Sequence, residues 1–108
     1  MKTLTKDKSA GARKSVYRRL EEVIGCKWSV SVLMAVRAGV RRPGQLERCI
    51  EGISTKVLAE RLRKLTAYGL LSRDVFAEMP PRTEYQLTEK GRELTRIIEQ
   101  IHALDQRG

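Results

Sequence analysis

The stretch from Gly52 to Gly91 constrains the fold more than any other part of this 108-residue chain. It opens with Gly52-Ile53-Ser54, and Ser54 suits a helix N-cap because its hydroxyl can accept a bond from an otherwise unpaired backbone N–H. Leu58, Leu62 and Leu65 then recur at helical spacing, and Gly69 supplies the stop signal. Leu70 to Phe76 reads as a strand and Thr83 to Leu87 as its partner. Between them, Met79-Pro80-Pro81 interrupts any ladder, since proline has no N–H to donate, so Ala77 to Arg82 is read as a loop.

Upstream, residues 1–14 are polar and basic without periodicity and read as a flexible N-terminal arm, with one domain over 15–108. From Ser15 the pattern turns helical, with Val16, Leu20, Val23 and Ile24 on one face and Gly25 closing the helix. A second helix is expected from Lys27 to Ala38, with Trp28, Val32, Leu33 and Val36 inward and Gly39 as its stop. Arg41-Arg42-Pro43 opens a short third helix anchored by Leu46 and Ile50, proline being tolerated at a first helical position. Thr88 caps a last helix, with Glu89 and Glu93 near its positive end. The fold class is therefore mainly α with a small β-hairpin. A capped helix running straight into a hairpin is the order of a winged helix-turn-helix, in which one helix enters a DNA groove and a basic loop reaches the adjacent backbone.

Charge points the same way. Residues 1–73 hold 17 Lys/Arg against 6 Asp/Glu, whereas residues 74–108 hold 5 against 7. The excess lies in the part containing the reading helix, and a polyanion partner follows from counterion release. A basic surface that serves only solubility is the bland alternative. No apolar run approaches the roughly 20 residues a membrane span needs, and Met1 to Lys14 lacks the apolar core of a secretory signal. A cytoplasmic location is expected, in which Cys26 and Cys49 stay reduced. These two thiols and His102 lack metal-ligand spacing, so no metal or cofactor is expected. His102 reads as a surface residue. Neither a phosphate-binding glycine loop nor a nucleophile elbow nor a His–acid pair is present, which argues against an enzyme.

Candidate contacts can be assigned by position. Ser54, Thr55 and Lys56 form the first turn of the fourth helix, where a recognition helix meets base edges. Lys56 could donate to guanine, while Thr55 could bond a base through its hydroxyl or meet a thymine methyl through its own. Arg63, two turns on, suits a phosphate, as do Arg41 and Arg42 at the start of the third helix. The N-terminus of the second helix, with Lys27, is another phosphate position. Arg82 at the hairpin tip suits a minor groove or phosphate. Arg61 falls at the flank of the apolar stripe, where partial burial and an acidic partner are expected.

The last helix carries Leu94, Ile97, Ile98, Ile101 and Leu104 in one seam. The four earlier helices and the hairpin already furnish a core. This seam, with Val16 and Leu20 of the first helix, is therefore read as a homodimer interface, and a two-fold dimer matches a palindromic operator. Cys26 stands at the start of the second helix beside Lys27, where dipole and ammonium favour a thiolate, making it a possible redox-sensing thiol. Cys49, at the end of the third helix, is expected to be buried and inert.

These blocks resemble the HxlR-type winged-helix regulators of bacteria. The resemblance rests on Ile24-Gly25-Cys26-Lys27-Trp28, Gly52-Ile53-Ser54-Thr55-Lys56-Val57-Leu58 and Arg61-Leu62-Arg63-Lys64-Leu65. It continues through Gly69-Leu70, Pro80-Pro81-Arg82 and Thr83-Glu84-Tyr85-Gln86-Leu87-Thr88-Glu89-Lys90-Gly91, covering roughly Ser15 to Leu104. It implies a homodimeric transcriptional regulator, with the helix after Ser54 in the major groove, the Pro-Pro-Arg loop as wing and the terminal helices in the dimer. Many members sense electrophiles or oxidants through a cysteine near the start of the first helix; here that position is Ser15, and Cys26 replaces a glycine of the family pattern. Arg42-Pro43-Gly44-Gln45-Leu46 likewise departs from an Arg-Phe-x-Glu-Leu pattern. The function expected is sequence-specific duplex binding by a dimer, with possible response to redox or electrophile signals. The rival readings are a winged-helix module that binds protein or RNA without duplex readout, and a thiol sensor in which Cys26 controls dimer geometry.

Overall fold

The computed structural model describes residues 18–108. The basic arm, Ser15 and Val16 lie outside the described residues. Within them the order is α1 (Arg18–Ile24), α2 (Lys27–Arg37), α3 (Pro43–Cys49), α4 (Thr55–Ala67), β1 (Leu71–Phe76), β2 (Arg82–Leu87) and α5 (Glu89–Gln106). Helix α2 ends at Arg37 with Ala38 as its C-cap, and Pro43 occupies the first turn of α3.

Helix α2 stands at the centre and touches α1, α3, α4, β2 and α5. Its Val32, Leu33 and Val36 meet Leu46 of α3, Leu58, Leu62 and Leu65 of α4, and Leu94 and Ile98 of α5 in one buried cluster. Leu33, Leu46, Leu65 and Leu70 are among the side chains with almost no exposure, each adding about 2 kcal/mol through burial. The turn before α4 needs Gly52, whose φ of 87° lies in the left-handed region. Ile53 follows it into the core.

β1 and β2 form an antiparallel pair in register from Leu71 opposite Leu87 to Phe76 opposite Arg82. The hairpin is pinned at its β2 edge and at its root. The Tyr85 N–H donates to the Arg41 carbonyl at 2.8 Å, tying β2 to the segment before α3. At its root, the Thr88 hydroxyl donates to the Gly69 carbonyl at 2.6 Å and accepts from the Gly91 N–H at 3.0 Å. That one side chain therefore joins the end of α4 to the start of α5. Gly91 is needed there, because a Cβ would stand 2.1 Å from the Leu70 carbonyl oxygen.

Helix α5 is fastened to α2 by Arg37, which donates to the fully buried Thr95 hydroxyl at 2.7 Å and pairs with Glu99 at 3.0 Å. This arrangement corrects the expected seam. Leu94 and Ile98 are largely taken up by this chain's own core, at 3% and 2% exposure, whereas Ile97, Ile101 and Leu104 are exposed. Leu20 is half-buried against the core. It lines an apolar groove of about 450 Å³ with Ile24, Leu94 and Ile97.

Candidate nucleic-acid interface

The start of α4 is built by its cap. Ser54 accepts from the Val57 N–H at 3.1 Å, so the serine oxygen holds the helix end. Thr55 and Lys56 follow on the exposed first turn. The Thr55 hydroxyl donates to Glu47 Oε2 of α3 at 2.6 Å. Lys56 has no acidic partner within ion-pair distance among the described residues, and neither does Arg63. Seven residues separate the two cations, about 10 Å along the helix at 1.5 Å per residue. Both are exposed.

Neighbouring elements add charge beside this turn. Lys27 at the start of α2 places its Nζ 4.8 Å from the Trp28 ring centroid. The same indole lies against Gly52, where an added Cβ would be 3.6 Å from the ring. Lys27 is thus brought next to the α3–α4 turn. Arg41 and Arg42 are exposed before α3, and Arg42 Nε sits 3.7 Å from Glu84 Oε2 of β2.

Arg82 departs from expectation. It is the first residue of β2 rather than an open loop tip, and it faces Phe76 across the ladder. Its guanidinium lies 4.3 Å from the Phe76 ring centroid. Nη1 pairs with Glu78 at 3.0 Å, and Nε faces Glu84 Oε2 at 3.1 Å as an ion pair without hydrogen-bond alignment. Two carboxylates and an aromatic face therefore occupy the side chain intended for a phosphate. The residues presented at the tip are Ala77, Glu78, Met79, Pro80 and Pro81, all exposed, with Met79 at 96%.

Cys26 is partly buried in the loop before α2, next to Arg61. Arg61 behaves as its position suggested: its side chain is 18% exposed and pairs with Glu60 at 3.4 Å, while Nη1 reaches Cys26 Sγ at 3.6 Å. Burial opposes ionisation of this thiol. Hydrogen bonds from the Ser29 side chain and from the Ser29 and Trp28 backbone, with the Arg61 charge, outweigh it and hold the thiol below its ordinary value. Cys49 is exposed, not buried as expected, because α3 ends there. His102 is exposed.

The acids Glu47, Glu78 and Glu84 were missed as parts of this surface. A signal existed for two of them, since Glu78 is four residues before Arg82 and Glu84 two after it, on the same strand face. Nothing local predicts the Glu47–Thr55 contact, which depends on how α3 crosses α4.

Residues 23–107 match the model of the HxlR-like helix-turn-helix family. Over 83 residues the chain is 45% identical to the HTH-type transcriptional regulator sll1512 of Synechocystis sp., covering 77% of this chain and 62% of that protein. The chain thus spans somewhat less than two thirds of that relative's length. It superposes on the crystal structure of the HTH-type transcriptional regulator ytcD with a TM-score of 0.79 at 35% identity, covering 87% of this chain and 96% of that one. The redox regulator HypR in its oxidised form gives a TM-score of 0.76 at 31% identity, over 87% of this chain and 97% of that one. No described helix is long and apolar enough to cross a membrane. A match that runs from the buried Val23 of α1 to the end of α5 takes in nearly every described element, and the chain therefore belongs to the HxlR-like helix-turn-helix family.

Proposed function

We propose that the chain is a dimeric regulator of transcription that binds double-stranded DNA sequence-specifically through the first turn of α4. The observation that carries this reading is Lys56, exposed on a capped helix end with no ion-pairing acid among the described residues. Thr55 joins it at base edges, while Arg63, Arg41, Arg42 and Lys27 supply backbone contacts. Ser54 contributes by fixing the helix end. The similarity to HTH-type transcriptional regulators of Synechocystis sp. and Bacillus subtilis supports the same role. Exposed Ile97, Ile101 and Leu104, continuous with the groove beside Ile24, support a homodimer. Its operator is then palindromic, with half-sites about 34–36 Å apart or a multiple of that spacing.

Selection of bound fragments from random duplex DNA tests this, followed by salt titration on the recovered site. A repeated half-site and an affinity falling log-linearly with salt, by about 0.9 per phosphate contact, are expected. Failure to enrich any sequence, or an affinity indifferent to salt, would leave a protein- or RNA-binding module instead.

Cys26 is the thiol proposed to answer oxidants or electrophiles. The Arg61 contact and the lowered ionisation support it, as does the likeness to HypR. Since the thiolate is the reactive form, alkylation of Cys26 should persist at lower pH than for an ordinary thiol. A Cys26→Ser protein whose DNA binding still responds to oxidant would remove Cys26 from this role.

A further inference from the structure

Glu47 is an acid set among cations beside the first turn of α4, yet it makes no ion pair among the described residues. It is partly buried, and Oε2 accepts the Thr55 hydroxyl proton at 2.6 Å, an ordinary length for an O–H donor on a carboxylate. A carboxylate held near DNA repels phosphate, so its presence there calls for a compensating role. Its geometry supplies one.

Threonine carries its hydroxyl and its methyl on the same Cβ, so fixing one branch fixes the other. With the hydroxyl turned to α3, its proton is unavailable to a base acceptor, and the methyl is the branch left to point toward the groove. The only apolar group on a base edge in the major groove is the thymine C5-methyl. We propose that Glu47 is a positioning residue that locks Thr55 with its methyl outward, making Thr55 a reader of thymine by methyl contact rather than by hydrogen-bond donation. The inference rests on the DNA-reading role proposed above and decides between two modes that the residue type alone leaves open.

The test uses the operator recovered by selection, with each thymine replaced in turn by deoxyuridine, which lacks only the methyl. One thymine per half-site is expected to lose about fourfold in affinity on replacement, the value of one buried methyl-sized group. Thr55→Val keeps the methyl and should keep that loss. Thr55→Ser keeps the hydroxyl and should show less than about a twofold difference between the two duplexes. Glu47→Ala releases the side chain and should likewise flatten the difference, whereas Glu47→Gln, which can still accept the bond, should retain it. Thermal melts of the four variants, all at accessible positions, establish that each is folded.

Thr55→Val behaving like Thr55→Ser would overturn the methyl contact. Full deoxyuridine sensitivity in Glu47→Ala would overturn the positioning role. An enriched operator whose thymines all tolerate deoxyuridine overturns this inference alone, while absence of any enriched sequence removes the DNA-reading role together with it.

Discussion

The start of α4 and the tip of the β1–β2 hairpin each carry a cation assigned to DNA on sequence grounds, Lys56 and Arg82, but they hold them in opposite ways. On α4, Lys56 and Arg63 stand exposed without acidic partners among the described residues. In the hairpin, Arg82 lies between Glu78 and Glu84 and over Phe76. From Leu71 to Leu87 there are two arginines, Arg73 and Arg82, against Asp74, Glu78 and Glu84. A guanidinium already matched by two carboxylates gains little from a phosphate, because each new contact replaces an existing one. The residue type shows what a side chain can bind, while its neighbours decide whether it is free to do so. If α4 reads DNA as proposed, the helix supplies the attraction and the neutralised hairpin tip supplies shape.

That contrast requires the hairpin to keep its place beside α4, so the largest effect comes from loosening its root. Gly91→Ala sets a Cβ 2.1 Å from the Leu70 carbonyl oxygen, at the junction where Thr88 joins α4 to α5. Backbone on backbone cannot yield as a flexible side chain can. The expected loss is about 3 kcal/mol, the upper part of the usual overpacking range, read as a lower urea midpoint at constant slope. An unchanged midpoint would show that the root adjusts freely and that the two regions are not rigidly placed.

Lys56→Ala comes next. It should cost about 1–3 kcal/mol in operator affinity and relax preference at one base pair, with stability unchanged because the side chain is exposed. Unchanged selectivity in competition binding would assign the attraction elsewhere on the molecule and dissolve the contrast between helix and hairpin.

Much of this arrangement was legible in the sequence, and the reason differs by region. For α4, cap, stripe and stop signal agree, and the helix spans Thr55–Ala67 as they require. The same holds for Pro43 at the start of α3 and Thr88 at the cap of α5. The seam of α5 was read correctly as apolar but not in depth. Leu94 and Ile98 are covered by this chain's own core, while Ile97, Ile101 and Leu104 stay outside it, and periodicity cannot tell which edge of a stripe a neighbour will cover. Cys49 was misjudged because a seven-residue helix ends before its last turn is enclosed. Of the expected DNA contacts, Lys56 and Arg63 were visible as exposed positions of an amphipathic helix. The neutralised state of Arg82 was not, since it arises where the loop folds Glu78 back onto β2 and the ladder sets Glu84 beside it.

The smallest effect is the most pointed test of the comparison. Glu84 Oε2 lies 3.1 Å from Arg82 Nε and 3.7 Å from Arg42 Nε, so one carboxylate restrains cations on both the hairpin and the approach to α3. Glu84→Gln keeps the size of the side chain and removes its charge. If the acid is what withholds these arginines, the variant should bind its operator about two- to threefold tighter, since an ion pair at a half-buried surface position is worth about 1 kcal/mol or less. The salt dependence should also steepen by about 0.9 for each guanidinium released to a phosphate. Arg82→Ala in the native background should change affinity by less than about twofold, because a partnered arginine has little attraction to lose. In the Glu84→Gln background the same substitution should remove Arg82's share of the gain and leave that of Arg42. Were Glu84→Gln to leave the salt slope unchanged, with Arg82→Ala costing as much as Lys56→Ala, the hairpin would be a full electrostatic partner of α4, and shape alone would not describe it.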